Sequence, residues 1–188
     1  MRRKARPFDE RRATDYVEGL LEALGQDRAR EGLRETPRRV VAFYRELLTP
    51  KPFTFTTFAS EGVNELIVQT GIQFYSLCEH HLLPFFGTAA VGYVPNGRIV
   101  GLSKLARCVR FHAAGLMNQE RITQAVADQI RSEVEAKAVG VVLRARHLCM
   151  EMRGVCAPGA ETTTSCLRGN LYKDPRARAE FIELARSR

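Results

Sequence analysis

Two short stretches, Cys78-Glu79-His80-His81 and His147-Leu148-Cys149, contain three of the chain's four histidines and two of its five cysteines. Packing alone gives no reason for such crowding, so the fold must bring the two stretches together. In the first, a thiolate and an imidazole three residues apart reach one ion from a single turn, the spacing of many zinc half-sites. In the second, a strand read over 139–153 alternates its side chains at a period of two, which sets His147, Cys149, Glu151 and Arg153 on one face. Cys78, His81 and Cys149 then supply three protein ligands for Zn2+ and leave one position open. That is the pattern of a catalytic centre, where water becomes a nucleophile near neutral pH. A closed site completed by His80 or His147 is the alternative that spacing leaves standing. His112 has no such company and reads as a surface or core histidine. Cys108 reads as a small core residue, and Cys156 and Cys166 as structural or incidental.

Periodicity around these stretches predicts an α+β chain. A helix is expected over 10–24, with Tyr16, Val17, Leu20, Leu21 and Leu24 on one face and Gly25 as its stop. Thr36 reads as an N-cap with Pro37 at the first helical position, opening a second helix that ends before Pro50 and Pro52. Strands follow at 72–78, 88–94 and 98–100, with Pro95-Asn96-Gly97 as a hairpin turn between the last two. Helices are expected at 103–111 and 120–138, a strand at 139–153 with a hairpin partner at 162–167, and a terminal helix at 175–186. The domain reading is a flexible basic tail over 1–8, a helical arm over 9–65 and a catalytic domain with an antiparallel sheet over 66–188.

With 188 residues and 45% apolar side chains, the chain can bury a core,. A formal net charge of +8 favours an anionic partner, either nucleic acid, an acidic membrane surface or a phosphorylated small molecule,. No apolar run of transmembrane length and no secretory pattern at the N-terminus are present, so a soluble, cytoplasmic protein is expected, with thiols used for metal or catalysis rather than disulfides,.

Ordered blocks along the chain resemble the zinc-dependent GTP cyclohydrolase I family. They are Thr36-Pro37-Arg38-Arg39-Val40, Phe74 to Phe85 around Cys-Glu-His-His, and Gly101-Leu102-Ser103-Lys104-Leu105-Ala106-Arg107. Gln119-Glu120-Arg121, His147-Leu148-Cys149, Met152-Arg153-Gly154-Val155 and Thr162-Thr163-Thr164-Ser165 complete the set. The resemblance implies a tunnelling fold, with barrel-forming sheets built across subunits in a homodecamer of two pentamers, active sites at the interfaces, and GTP as substrate. It further implies that Cys78, His81 and Cys149 hold Zn2+ while His80, His147 and Ser103 handle protons. By the same resemblance Glu120 recognises the guanine edge with Gln119 beside it, and Lys104, Arg107, Arg153 and a neighbouring subunit's Arg39 grip the triphosphate. Arginine suits that last task because its planar fork binds phosphate through two hydrogen bonds at once.

The chain departs from the family pattern at Gly115-Leu116-Met117-Asn118 and at Cys156-Ala157-Pro158-Gly159. Three other readings stand beside the main one. They are a specialised relative that stops at a formamide or serves deazapurine synthesis, a non-catalytic zinc- and nucleotide-binding assembly protein, and a nucleic-acid binder. No nucleic-acid module accompanies the charge, zinc scaffolding needs neither His80 nor His147, and the related nitrile reductase of queuosine synthesis has no use for the Cys-Glu-His-His block.

Overall fold

The computed structural model describes residues 7–186, so most of the predicted basic tail lies outside the described residues. The chain divides into two compact units after Thr49; residues 50–65 group with the second.

In the first unit, helix α1 (Glu10–Ala23) begins where the Asp9 carboxylate accepts the Arg12 amide at 3.0 Å, and Gly25 follows its end at φ +71°. Both ends follow the expected chemistry, an acidic N-cap that satisfies a free N–H and a residue without Cβ that turns left-handed. Helix α2 (Thr36–Leu48) carries Pro37 in its first turn. Thr36 is not its cap: it is already helical, and its hydroxyl donates backward to the Gly32 carbonyl at 3.4 Å.

The second unit is built on a five-stranded sheet. Its strands are β2 (Ile67–Cys78), β3 (Pro84–Val94), β5 (Leu116–Met117), β6 (Ala138–His147) and β7 (Glu161–Gly169), in the order β5-β2-β3-β6-β7. All neighbours are antiparallel except β2 and the two-residue β5. The predicted hairpin across Pro95-Asn96-Gly97 does not form. Strand β4 (Arg98–Val100) pairs with β1 (Thr57–Ala59) instead, because both edges of β3 are already filled by β2 and β6.

One face of the sheet is covered by α3 (Leu102–Ala113) and α4 (Gln119–Glu133). Leu105, Cys108 and Val109 from α3, and Ile122, Val126 and Ile130 from α4, are fully buried against Phe74, Phe85, Val91, Val141 and Leu143. Each such side chain contributes roughly 1.5–3 kcal/mol. Helix α4 stops short of the predicted 138, since Glu135 turns left-handed at φ +47° and frees Ala138 to start β6. The opposite face receives the C-terminal helices α6 (Asn170–Lys173) and α7 (Pro175–Leu184), with Phe181 buried over Ala90, Ala138 and Val142. The six residues Ala138–Leu143 are therefore buried without alternation, as in any strand covered on both faces,.

The predicted strand over 139–153 ends at His147, where the chain turns into the four-residue helix α5 (Leu148–Glu151). A period of two therefore does not bring Cys149 and Glu151 onto the face of His147. Among the described residues no helix is long and apolar enough to cross a membrane.

Candidate metal centre

The sheet order gathers four chain ends at one place. Strand β2 ends at Cys78 beside Met117 of β5, β3 begins at Pro84-Phe85, β6 ends at His147, and α4 starts at Gln119. The link from β2 to β3 is a tight turn in which the Cys78 N–H donates to the Leu83 carbonyl and the Leu82 N–H to the Cys78 carbonyl, each at 2.9 Å. Leu82 closes it at φ +57°, a left-handed conformation that costs a branched residue energy and is held by the surrounding bonds,.

That turn and helix α5 bring the Sγ atoms of Cys78 and Cys149 and a ring nitrogen of His81, atoms that could hold a metal ion, to within 4.8 Å of one another. The Cys78 Sγ is 3.7 Å from His81 Nδ1 and 3.8 Å from His80 Nδ1. Neighbouring S and N ligands on a tetrahedral zinc ion are roughly 3.6 Å apart, given Zn–S and Zn–N bonds of about 2.3 and 2.0–2.1 Å. Burial, and next to it the adjoining Cys78, push the Cys149 thiol up. Two thiols crowded in this way oppose each other's ionisation, and a dication among them reverses that by stabilising both thiolates. The donor set of two sulfurs and one imidazole thus fits zinc. The neighbouring acids are committed elsewhere. Glu79 accepts from Asn118 Nδ2 at 2.9 Å and from Arg121 Nη1 at 3.2 Å, and Glu151 is bonded to Arg146.

His147 lies across β3 and β6 from Phe85, the rings 4.6 Å apart and 3° from parallel. Its Nε2 is 2.9 Å from Gln119 Oε1. The Gln119 Nε2 donates to the carbonyls of Leu143 and Thr162, at 3.1 and 2.9 Å, and lies 3.1 Å from Thr164 Oγ1. Carbonyls only accept, so the amide nitrogen must face them, its oxygen must face His147, and His147 Nε2 carries the proton. Gln119, expected beside the guanine edge, instead has its side chain 1% exposed and fully engaged in holding His147. Burial, which outweighs the opposing charge of Glu120, lowers the pKa of His147 and favours its neutral ring,.

The remaining predicted residues ring this group less tightly. Glu120 is exposed in the first turn of α4. Arg153 is exposed, with Nη1 3.2 Å from His81 Nε2. Ser103 and Lys104 occupy the first turn of α3, with Arg107 exposed one turn on; among the described residues no hydrogen bond or ion pair joins them to the cysteine–histidine group. Arg39 is exposed on α2 in the other unit. His112 is buried on α3, 2.6 Å from Gln129 Oε1 and away from the metal group. Sequence reading missed Asn118, which caps α4 by accepting the Arg121 amide at 2.9 Å while it donates to Glu79. An asparagine just before a helical run is a cap signature and could have revealed the first half of that role.

The sequence profile described as GTP cyclohydrolase I matches residues 13–186. GTP cyclohydrolase 1 of Aquifex aeolicus is 47% identical over 180 residues, 95% of this chain and 98% of its own. The Corynebacterium glutamicum protein of the same name is 47% identical over 188 residues, covering 96% and 95%, and that of Nitrosospira multiformis 50% over 174, covering 89% and 91%. A crystal structure of an apo archaeosine synthase QueF-Like aligns at a TM-score of 0.47 with 14% identity, over 55% of this chain and 93% of that one, a likeness too distant to carry weight. With the family profile spanning nearly the whole chain and identities near one half over nine-tenths of it, the chain belongs to the GTP cyclohydrolase I family.

Proposed function

We propose that this protein hydrolyses GTP at C8, releases formate and forms 7,8-dihydroneopterin triphosphate, as a cytoplasmic enzyme feeding pterin synthesis. The observation that carries the reading is the convergence of Cys78, His81 and Cys149 within 4.8 Å, beside the oriented histidine His147, in a chain of this family.

Cys78, His81 and Cys149 would hold Zn2+, which when bound supplies Lewis acidity that activates water near neutral pH. Opening the imidazole ring of GTP needs a proton on N7, which makes C8 electrophilic. His147 suits that transfer. Its Nε2–H is committed to Gln119, so Nδ1 is the ring nitrogen left to take up and deliver the proton, and the Glu120 carboxylate favours the charged form,. Gln119 contributes through His147 rather than through the base. The Glu120 carboxylate would accept from the guanine N–H and amino groups, a role compatible with its favourable position at a helix N-terminus. Lys104, Arg107 and Arg153, with Arg39 from a neighbouring subunit of a homodecamer, would neutralise the triphosphate. His80 and Ser103 would move protons as the ribose opens and recloses on the exposed amines.

The test is to load the protein with Zn2+, supply GTP, and follow formate together with the fluorescent pterin obtained on oxidation. Both products in equal amount are expected. Formate or a formamide without pterin would mark the early-stopping relative, and a metallated protein that leaves GTP intact would refute catalysis.

A further inference from the structure

Helix α5, which carries Cys149, is four residues long, and its N-cap residue His147 makes no side-chain capping bond. One helical turn is not stable by itself, because nucleation costs more than a single turn returns. Something outside the helix must therefore fix the thiol of Cys149 against Cys78 and His81. Backbone bonds from Met152 N–H to the Leu148 carbonyl and from Ala157 N–H to the Met150 carbonyl close the segment on itself, at 3.0 and 2.9 Å, but neither ties it to the sheet.

The tie comes from Glu151. Arg146 Nε donates to Glu151 Oε1 at 2.7 Å and Arg146 Nη2 to Oε2 at 2.6 Å, a two-pronged pair with the carboxylate side chain only 9% exposed. The arginine is itself seated. Its guanidinium lies 6.0 Å from the ring centroid of Phe86, its cross-strand partner, and Phe86 stacks on Tyr75 of the next strand at 6.1 Å. Arg146 and His147 are consecutive in β6 and so point to opposite faces of the sheet. The chain leaves the sheet at His147, passes through Cys149 within one turn, and is fastened back to the other face at Glu151.

We propose that the Arg146–Glu151 pair is a positioning device for the metal centre, presetting the Cys149 thiolate for Zn2+ without touching the ion. The inference rests on the zinc reading above. Outer groups that orient a ligand commonly change metal affinity 10–100-fold when lost. The Arg146 side chain is 46% exposed, and an ion pair open to solvent on one side contributes little to global stability, so the two effects separate.

The test is Zn2+ affinity of the full chain by competition with a chromophoric chelator, together with the visible spectrum of the Co2+ form, whose thiolate charge-transfer bands report both sulfurs. Glu151→Gln and Arg146→Met are each expected to weaken Zn2+ binding about 10–100-fold and to lower the charge-transfer intensity, with thermal unfolding of the metal-free protein nearly unchanged. Glu151→Asp, which keeps the charge but shortens the reach, should fall between them and wild type, and the exchanged pair Arg146→Glu with Glu151→Arg should regain most of the loss. Arg168→Met, which breaks the Arg168–Asp128 pair between β7 and α4, is the control. Wild-type affinity and spectrum in Glu151→Gln would overturn the proposal, as would an equal loss in Arg168→Met. A wild-type chain that binds no Zn2+ would instead overturn the metal site on which the proposal rests.

Discussion

Gln119 accepts the proton of His147 Nε2 at 2.9 Å while its own amide nitrogen is held by the carbonyls of Leu143 and Thr162. A single glutamine thereby fixes the tautomer of the residue proposed to move a proton. Gln119→Leu should therefore act twice. The buried Leu143 carbonyl and the part-buried Thr162 carbonyl lose a donor, at about 1–3 kcal/mol, and His147 loses its orientation, which should reduce kcat on the order of 10²-fold, the lower range for a general acid–base group. Zinc content should stay at the wild-type level. Thermal unfolding, kcat and metal analysis on the purified variant check all three, and unchanged kcat would detach Gln119 from catalysis.

The proposed ligand and proton-handling roles separate by metal content. Cys149→Ser should purify with little zinc, since it removes one of two thiolates from a three-residue set,. His147→Ala should keep its zinc and lose ring opening by 10² or more, roughly the worth of a positioned acid or base. Elemental analysis and formate release on both variants decide it; a fully metallated Cys149→Ser would refute the ligand assignment.

Glu79, although it stands between the candidate ligands Cys78 and His81, is a strut. Its carboxylate joins the turn at Cys78 to the N-terminus of α4 through Asn118 and Arg121. Glu79→Ala should let α4 and its Glu120 shift relative to the turn. The expected result is a several-fold rise in KM for GTP that exceeds the fall in kcat, as when substrate binding rather than the transition state is weakened. Steady-state kinetics reads the split, and loss in kcat alone would assign Glu79 to the chemistry instead.

The order of the elements and the segments that hold the cysteines and histidines were legible because both are local. Helical stripes, cap residues and the Cys-Glu-His-His turn are written in neighbouring positions. What escaped were features set by pairing across the chain. The turn at Pro95-Asn96-Gly97 has hairpin chemistry, yet β4 pairs with β1 because β3 has no vacant edge. His147-Leu148-Cys149 looked like continuous strand, yet the chain turns into a helix at Leu148, and the three candidate residues still meet because one helical turn also returns Cys149 to Cys78. Gln119 looked like a base-binding residue, and only the register of β6 and β7 supplies the carbonyls that claim its amide.

None of the five thiols is in a disulfide, and they should react in a definite order. Cys156 is exposed and should label first. Cys108 is buried on α3, and burial, with Glu133 adding to it, pushes its pKa up to about 12, so its thiolate at pH 8 is on the order of one part in ten thousand. It should stay silent until the chain unfolds. Because its folded pKa lies above its ordinary value of 9.0, folding stability from this group is complete below pH 9 and declines as pH rises toward 12. Cys78 and Cys149 should be protected by zinc and become reactive on chelation. Mass mapping of alkylated thiols, with and without chelator, checks the order; labelling of Cys108 in the folded protein would contradict its burial.

The seat of α7 is a gap left by two glycines. Gly92 and Gly140 are cross-strand partners on β3 and β6, and the buried Phe181 ring lies over both, so that a Cβ at Gly140 would come within 2.6 Å of it and one at Gly92 within 2.9 Å. Neither glycine has the positive φ that would make a side chain costly by itself, so the penalty is one of volume. Gly140→Ala should overpack this site and destabilise the fold by about 1–3 kcal/mol. Pairing it with Phe181→Leu, which removes ring atoms from the space the new methyl needs, should cost less than the sum of the two single changes, because residues in contact do not add. Denaturant unfolding of the two single variants and the double variant measures the coupling. Strict additivity would mean that α7 simply moves away, and that the glycines are not what seats it.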